Sequence, residues 1–196
     1  MLATIKPLTS RKQEILEAAQ ALFSRKGYTD ASMRDLAEAL GIEPASLYSH
    51  FKSKEDILWE IAIRCAKAFN DGQEPIFSAS LTPEIKLRNM IDRHIELMID
   101  NINASAIFFR EWHHLSKERH DDYAQMIIDY EQRFVQVIEE GMKAGVFKAS
   151  VRPKFITSAL LASINWMHKW YRPEGSMTIS DIQQHMHLLL LDGLQS

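Results

Sequence analysis

The chain has 196 residues, of which 46% are hydrophobic and 25% are charged, the composition of an ordinary folded protein and not of a disordered one. Its single cysteine, Cys65, excludes an internal disulfide. Apolar runs of only a few residues predict neither a signal peptide in residues 1–10 nor a membrane-spanning helix. These features favour a cytoplasmic protein with no membrane partner.

The charge is unevenly distributed along the chain. A net charge of −3 at pH 7 argues by itself against nucleic-acid binding. Residues 1–54, however, carry a net charge of +2, and residues 55–196 carry −5. A mildly basic segment joined to an acidic one permits local contact with phosphates.

The spacing of apolar residues predicts an all-α fold of about nine helices, because spacings of three and four recur and no two-residue alternation is sustained. A capping box at residues 10–13 starts the first helix, which ends at Gly27. A second box at residues 32–35 starts the second helix, which ends at Gly41, and Pro44 lies in the first turn of the third.

Similar start and stop signals divide the rest of the chain. Ser53 caps a fourth helix to about residue 70, and a loop follows at residues 72–80. The later helices are predicted at about residues 82–102, 105–117, 121–144, 153–171 and from a cap at 180–183 to Gly193.

The second and third helices are separated only by residues 41–43. Gly41 can adopt a positive φ, so we expect the two helices to cross steeply around the small side chain of Ala37. The third helix then keeps an outward face of short or polar side chains that fits a DNA major groove. An αα-corner in an ordinary helical bundle is the alternative that the pattern leaves open. The predicted outward face consists of Glu43, Ala45, Ser46, Ser49 and His50.

Residues 15–58 contain eight short sequence pieces that together form a distinctive pattern. This segment resembles the DNA-binding domain of the TetR (tetracycline-repressor) family, which implies a transcriptional regulator, by default a repressor. The resembling pieces are Ala18-Ala19, Leu22-Phe23, Lys26-Gly27-Tyr28, Met33 to Ala37, Gly41-Ile42, Leu47-Tyr48, His50-Phe51 and Lys54-Glu55.

The resemblance implies DNA-contacting roles for individual positions. Contacts to backbone phosphates are expected from Ser32, Tyr48, His50 and Lys54, and contacts to base edges or groove walls from Arg34, Ala45, Ser46 and Ser49, with Glu43 and Pro44 at the start of the same helix. The alternatives are a partly buried Tyr48, a solvent-facing His50, and an Arg34 paired with Asp35 or Glu38.

The resemblance also implies two domains and a homodimer. Residues 1–55 form the DNA-binding domain, with the helix-turn-helix at about 32–51, and residues 56–196 form the ligand-binding and dimerisation domain. Two DNA-binding domains related by a two-fold axis bind double-stranded operator DNA whose sequence is a pseudo-palindrome. Its half-sites lie about 34 Å apart or somewhat more. Few positive side chains predict a modest salt dependence.

Apolar residues of the last two helices exceed what one chain is expected to cover. Four consecutive leucines encircle a helix, so the segment is predicted to be buried all round, partly in the chain's own core and partly against a second copy. The residues concerned are Phe155, Leu160, Leu161, Trp166, Ile182, Met186 and Leu188 to Leu191.

Candidate residues for an effector pocket lie on the middle helices and at the end of the eighth. Aromatic residues at helical spacing are also typical of an ordinary core, and that alternative stays open. The candidates are Met90, His94, Met98, Phe108, Phe109, Trp112, His113, Asn165, Trp166, Trp170 and Arg172.

Part of this set resembles TetR members that control fatty-acid, steroid and aromatic-acid catabolism, several of which respond to acyl-CoA thioesters. The resembling pieces are residues 108–112 with Leu115, and Asn165-Trp166 with residues 170–173, Gly175 and Ser180. Arg172 or Lys169 can meet phosphates while a Trp or Arg plane stacks on adenine. Alternatively, residues 172–175 merely end a helix at a tight turn.

Metal binding and catalysis are not expected, and no cofactor is predicted. His185 and His187 are two residues apart and point in nearly opposite directions, and His113 and His114 are expected to diverge by about 100°. Glu111 with His114 is then a weak pair without a third ligand. There are two rival hypotheses. One is an all-α enzyme that uses Glu111 and His113, and the other is a structural DNA-binding protein without an effector. Cys65 is expected to be a small core residue rather than a redox switch.

Overall fold

The computed structural model describes residues 9–194, so residues 1–8, on which most of the signal-peptide expectation rests, and residues 195–196 lie outside it. Within residues 9–194 the predicted all-α fold is confirmed, with no β-strand. The helices of this range are α1 (Ser10–Lys26), α2 (Met33–Ala39), α3 (Pro44–His50), α4 (Lys54–Phe77), α5 (Pro83–Asp100), α6 (Ile102–Glu111), a 3₁₀ turn (Trp112–His114), α7 (Lys117–Lys143), α8 (Pro153–Asn165), α9 (Met167–Trp170) and α10 (Ile179–Leu190).

The chain divides into two compact units. The first, which we call the head unit, contains the described residues up to Ala66 together with Asn103–Tyr123. The second, the body unit, contains Lys67–Ile102 and the described residues from Ala124 onward. The boundary therefore falls inside α4, after the first residue of α6, and inside α7.

Two predicted N-cap residues were wrong by one or two positions. Thr9, and not Ser10, caps α1, because its hydroxyl oxygen accepts from the backbone N–H of Lys12 at 3.3 Å. Thr178, and not Ser180, caps α10, where it forms a capping box with Asp181. The capping box of Ser32 and Asp35 at the start of α2 is confirmed.

The predicted loop at residues 72–80 was largely wrong, because α4 continues to Phe77 with Pro75 inside it. A glycine and a proline close together indicate a break when only the local sequence is considered. Gly72, however, lies where Leu97 of α5 approaches, and a Cβ atom there would come within 2.8 Å of its Cδ1. The next residue, Gln73, donates its side-chain N–H to the backbone oxygen of Met90 at 2.7 Å. Packing on α5 therefore stabilises the helix beyond the glycine.

The predicted eighth helix is interrupted at Trp166, which separates α8 from α9. This interruption accounts for a tenth α-helix among the described residues, where about nine were expected. Trp166 keeps helical dihedral angles, and its backbone N–H still bonds to Ala162, so the interruption is a local change of pitch and not a turn.

Helix α10 is anchored on α5 by polar side chains. The imidazole of His187 accepts from Arg88 at Nδ1, at 2.9 Å, and its Nε2 lies 2.7 Å from an Asp92 carboxylate oxygen. Burial raises the pKa of Asp92, while the nearby His187 acts in the opposite direction. Ile182 and Leu191 complete the contact on the apolar side, where both are buried.

Candidate functional site

The turn between α2 and α3 has the geometry of a helix-turn-helix. Gly41 has φ of +63°, and the N–H of Ile42 bonds to the oxygen of Ala37 at 3.0 Å, closing the turn. Leu36, Ala37 and Leu47 are buried in the core shared with α1. A positive φ at Gly41 is a conformation that few other residues adopt, so the glycine fixes the crossing of the two helices.

The predicted outward face of α3 is exposed. Leu47 points inward and is fully buried, and the hydroxyl of Ser49 donates to the backbone oxygen of Ser46 at 2.7 Å. His50 is half-buried, and its contact with a phosphate stays a prediction. The side chains that remain exposed in this segment are Glu43, Pro44, Ala45, Ser46, Tyr48 and Ser49.

Beside this face lies an open cleft of about 650 Å³. It brings together four residues that the sequence predicted to contact DNA: Ser32, Arg34, Tyr48 and Lys54. Arg34 is exposed and forms no salt bridge among residues 9–194, so it does not pair with Asp35 or Glu38. Asp35 instead pairs with Lys26, whose hydrogen bond is the main reason why the pKa of Asp35 falls to about 2.

Ser32 uses its hydroxyl oxygen to cap α2. That oxygen accepts from the N–H of Asp35 at 3.1 Å, and the carboxylate of Asp35 accepts from the N–H of Ser32 at 2.8 Å. Capping uses only an acceptor site of the hydroxyl, so its hydrogen is still available to donate to a ligand at the surface of the cleft.

Lys54 has a role in the cleft that the sequence did not indicate. Its ammonium group donates to the backbone oxygens of Tyr28, Thr29 and Ala31 at 2.6, 3.1 and 2.7 Å. The same group lies over the ring of Tyr28 at 4.4 Å, and burial lowers the pKa of Lys54. With all three ammonium hydrogens directed at carbonyls, Lys54 holds the 28–31 turn in place, and its contact with phosphate stays a prediction.

We expect Lys54→Met to lower the free energy of unfolding by about 2 kcal/mol, because three carbonyl oxygens, two of them in part-buried hydrogen bonds, lose a charged donor. Urea unfolding followed by circular dichroism measures the change. Lys52→Met is the matched control, since Lys52 is an exposed lysine two residues away, and its effect should stay within about 0.5 kcal/mol. Equal effects of the two substitutions would contradict the tethering role.

In the body unit, a chain of hydrogen bonds runs through the predicted pocket residue His94. Gln73 donates to the hydroxyl of Tyr130 at 3.0 Å, and that hydroxyl lies 2.6 Å from Nδ1 of His94. Nε2 of His94 lies 2.8 Å from Oδ1 of Asn165, which can only accept, so Nε2 carries the hydrogen. Burial lowers the pKa of His94 to about 4, so the imidazole is neutral at neutral pH.

Most of the remaining α5 candidates are core residues. Met90 and Met98 are fully buried, and the rings of Phe69 and Phe134 pack on His94 with centroids 5.0 and 6.4 Å away. Both nitrogens of His94 are occupied, so His94 positions Asn165 and is not itself free to bind a ligand. One acceptor is left over: Oε1 of Gln73 is buried and accepts no hydrogen bond from the described residues.

The predicted cluster at the end of the eighth helix is only partly brought together. Trp166 and Trp170 are exposed, and Lys169 lies over the ring of Trp166 at 5.8 Å. The guanidinium of Arg172 donates to the backbone oxygen of Tyr171 at 2.9 Å, and the N–H of Gly175 bonds to the oxygen of Arg172. These bonds form the tight turn that was the alternative interpretation of residues 172–175.

The remaining pocket candidates belong to the head unit. Phe108 is buried, Phe109 half-buried, and Trp112 and His113 exposed. The rings of Phe108 and Trp112 pack on Tyr123, with centroids 4.8 and 6.0 Å away. The structure thus divides the candidates between the two units.

Sequence reasoning missed Gln73 and Tyr130 in the body unit and the carbonyl oxygens of residues 28–31 in the head unit. Gln73 was placed in a predicted loop, and Tyr130 lies on the helix predicted at about residues 121–144, with no site role assigned to it. The four-residue spacing of Phe69 and Gln73 was the available signal, since it places both side chains on one helix face. No residue type in the 28–31 turn indicated that its carbonyl oxygens accept hydrogen bonds from Lys54.

A helix-turn-helix whose second helix, here α3, keeps an exposed face is typical of a DNA-binding regulator. The chain belongs to the TetR family of transcriptional regulators: residues 15–61 match the family model described as "Bacterial regulatory proteins, tetR family". Residues 80–194, more than half of the chain, match "Tetracyclin repressor-like, C-terminal domain". No helix within residues 9–194 is long and apolar enough to cross a membrane.

Three comparisons with individual proteins agree with this assignment. The chain is 29% identical to the HTH-type transcriptional repressor KstR2 of Rhodococcus jostii, over 96% of this chain and 93% of that protein. It is similar to the structure of the ketosteroid transcriptional regulator KstR2 of Mycobacterium tuberculosis, with a TM-score of 0.91, 24% identity and 97% of each chain covered. It is also similar to AibR in complex with isovaleryl coenzyme A and operator DNA, with a TM-score of 0.82, 23% identity and 92% and 98% of the two chains covered.

Proposed function

We propose that this protein is a non-enzymatic, effector-responsive repressor that binds a pseudo-palindromic operator as a homodimer. The observation that carries the proposal is the exposed face of α3 beside the cleft formed by Ser32, Arg34 and Tyr48. The side chains on α3 are short enough to enter a major groove. In the cleft, the hydroxyls of Ser32 and Tyr48 can donate to phosphates, and the guanidinium of Arg34 can reach a base edge or groove wall. Residues 1–55 are the DNA-binding domain in this proposal, and residues 56–196 bind the effector and the second chain.

The homodimer is supported by an unpaired apolar surface on α8 and α10. Phe155, Trp166, Leu188 and Leu189 are exposed, whereas Leu160, Leu161, Ile182 and Leu191 are buried within the chain. Of the four consecutive leucines, the chain's own core therefore fully buries only Leu191, and burial of the others against a second chain stays a prediction. Phe155 and Trp166 are eleven residues apart, three helical turns, and so lie on the same side. This position favours Trp166 as an interface residue over Trp166 as a pocket residue.

Arg34→Ala tests the DNA-binding part of the proposal. We expect operator affinity to fall roughly tenfold and the slope of log K against log salt to become shallower by about one, because one exposed cation at the groove wall, in the field of the flanking phosphates, is lost. Fluorescence anisotropy with the DNA upstream of the protein's own gene measures both. Arg25→Ala is the matched control, an exposed arginine of the same unit that does not line the cleft. Equal losses for the two variants would overturn the assignment of the cleft.

An acyl-CoA thioester is the effector class that we propose. In the AibR structure isovaleryl coenzyme A is bound together with operator DNA. The unsatisfied Oε1 of Gln73 supports a ligand that donates a hydrogen bond inside the body unit, since leaving a buried acceptor unpaired costs roughly 1–3 kcal/mol. The amide groups of the pantetheine arm are such donors. In the body unit the proposed pocket residues are Met90, Met98, Asn165, Trp170 and Arg172, with His94 positioning Asn165.

Titrating acyl-CoA thioesters against the protein–operator complex tests the effector class. Isovaleryl, medium-chain and aromatic thioesters are compared with free coenzyme A and with the free acids. We expect at least one thioester to weaken operator binding tenfold or more, and to raise the melting temperature of the free protein. If a thioester strengthens operator binding instead, the proposed effector class is supported, but the proposal that the effector releases the protein from the operator is overturned. If no thioester changes either measurement, the effector is another hydrophobic or drug-like ligand.

A further inference from the structure

The turn that follows α6 brings two histidine rings together. Residues Trp112–His114 form a 3₁₀ turn, closed by the N–H of Leu115 on the oxygen of Trp112 at 3.1 Å. The ring centroids of His113 and His114 are 4.1 Å apart. The expectation that these two side chains diverge was therefore wrong for the rings. Adjacent residues still leave a 3₁₀ turn in directions about 120° apart, but rotation about the side-chain bonds brings the two rings together.

A carboxylate completes the group. Oε2 of Glu111 lies 3.5 Å from Nε2 of His114. One ligand atom from each of Glu111, His113 and His114 lies within 4.8 Å of the others. Two ligands of a tetrahedral zinc ion are about 3.4 Å apart, given metal–ligand bonds of about 2.0–2.1 Å. The Glu111–His114 distance already matches this separation, and the third ligand needs only a rotation of the exposed His113 side chain.

The surroundings leave the right atoms available. The second oxygen of Glu111, Oε1, lies 3.8 Å from Arg110, so Oε2 is the atom that faces the histidines. The Glu111 side chain is only 12% exposed, which holds the carboxylate in place, whereas His113 and His114 are exposed to an ion arriving from solvent. The hydroxyl of Thr29 lies 3.4 Å from Nε2 of His114, at the limit of a hydrogen bond, so a metal displaces only a weak contact.

We propose that Glu111, His113 and His114 form a binding site for a divalent transition-metal ion. Two imidazole nitrogens and one carboxylate oxygen are ligands that suit Zn²⁺, Ni²⁺ and Co²⁺ and do not suit Mg²⁺ or Ca²⁺. Water fills the remaining coordination position, as in zinc sites with three protein ligands. The site lies wholly within the head unit and is independent of the proposed effector.

Isothermal titration of the full-length, tag-free protein with ZnCl₂ tests the site. We expect one Zn²⁺ per chain with a dissociation constant in the micromolar range, and no heat with MgCl₂. At a hundredfold excess over that constant, Zn²⁺ should raise the melting temperature by roughly 5–10 °C. Substituted Co²⁺ should show the visible absorption of a bound, low-symmetry ion.

His113→Ala and Glu111→Gln should each weaken Zn²⁺ binding at least tenfold, because each removes one of three protein ligands. His120→Ala is the matched control, a histidine of the same unit that is outside the group, and it should bind Zn²⁺ like the unmodified protein. Millimolar binding, or micromolar binding that neither substitution weakens, would overturn the proposal. The two substitutions act separately, so failure of one variant to fold leaves the other as the test.

Discussion

Leu189→Glu is expected to convert the protein from a dimer into a monomer and to weaken operator binding by roughly a hundredfold or more. Leu189 is 69% exposed in a single chain, on a helix whose other side is anchored on α5 by His187. In the proposed dimer this side chain is buried, and a carboxylate buried without a partner costs several kcal/mol. Because the dimer carries the substitution twice, the cost is incurred twice. Light scattering at micromolar concentration gives the mass, and anisotropy gives the operator affinity.

Ile128→Glu is the matched control for this substitution. Ile128 is 54% exposed on α7, outside α8 and α10. Its substitution replaces an apolar side chain by the same carboxylate. We expect it to stay dimeric and to bind the operator normally. A Leu189→Glu protein that remains dimeric would show that α10 is not the interface, and a monomeric unmodified protein would exclude the proposed homodimer altogether.

Acidification is expected to destabilise the protein through His94 between pH 6.5 and pH 4. Burial holds the pKa of His94 at about 4, whereas the same side chain in the unfolded chain titrates near 6.5. In this interval the unfolded chain binds a proton that the folded chain excludes. The free energy of unfolding therefore falls as the pH falls, by about 2.5 kcal/mol between pH 7.5 and pH 4.5 from this residue alone.

His94→Gln isolates that contribution. The variant should be less stable at pH 7.5, because Tyr130 and Asn165 lose their shared partner. At pH 4.5 the difference from the unmodified protein should shrink by about 2.5 kcal/mol, because glutamine does not titrate. Urea unfolding at both pH values measures the two differences. His185→Gln, at an exposed histidine, should leave the pH dependence unchanged, and a pH-independent difference for His94→Gln would contradict the buried neutral imidazole.

The sequence predicted the head well because local signals there agree with the tertiary structure. Ser32 with Asp35, Gly41 and Pro44 each determine a cap, a turn or a first helical residue within a few positions of chain. The family resemblance covered the same residues. The face of α3 followed from this geometry, since burial of Leu47 determines which side chains point outward.

The features that the sequence did not predict depend on distant residues. Helix α4 continues past Gly72 because α5 packs against it there, a contact that local helix propensity does not contain. The hydrogen bonds by which Lys54 holds the 28–31 turn depend on backbone oxygens, which every residue has. In each case the decisive partner is either far along the chain or is the backbone itself.

The burial of Cys65 gives the protein a built-in reporter of local opening. Its thiol is the only one in the chain, it is 3% exposed, and burial raises its pKa to about 12. A thiol of this kind reacts with a disulfide reagent only while the surrounding segment is transiently open. The rate of its modification therefore measures how often the core of the head unit opens. Comparing that rate with and without operator DNA or Zn²⁺ shows directly whether each of them holds the head closed.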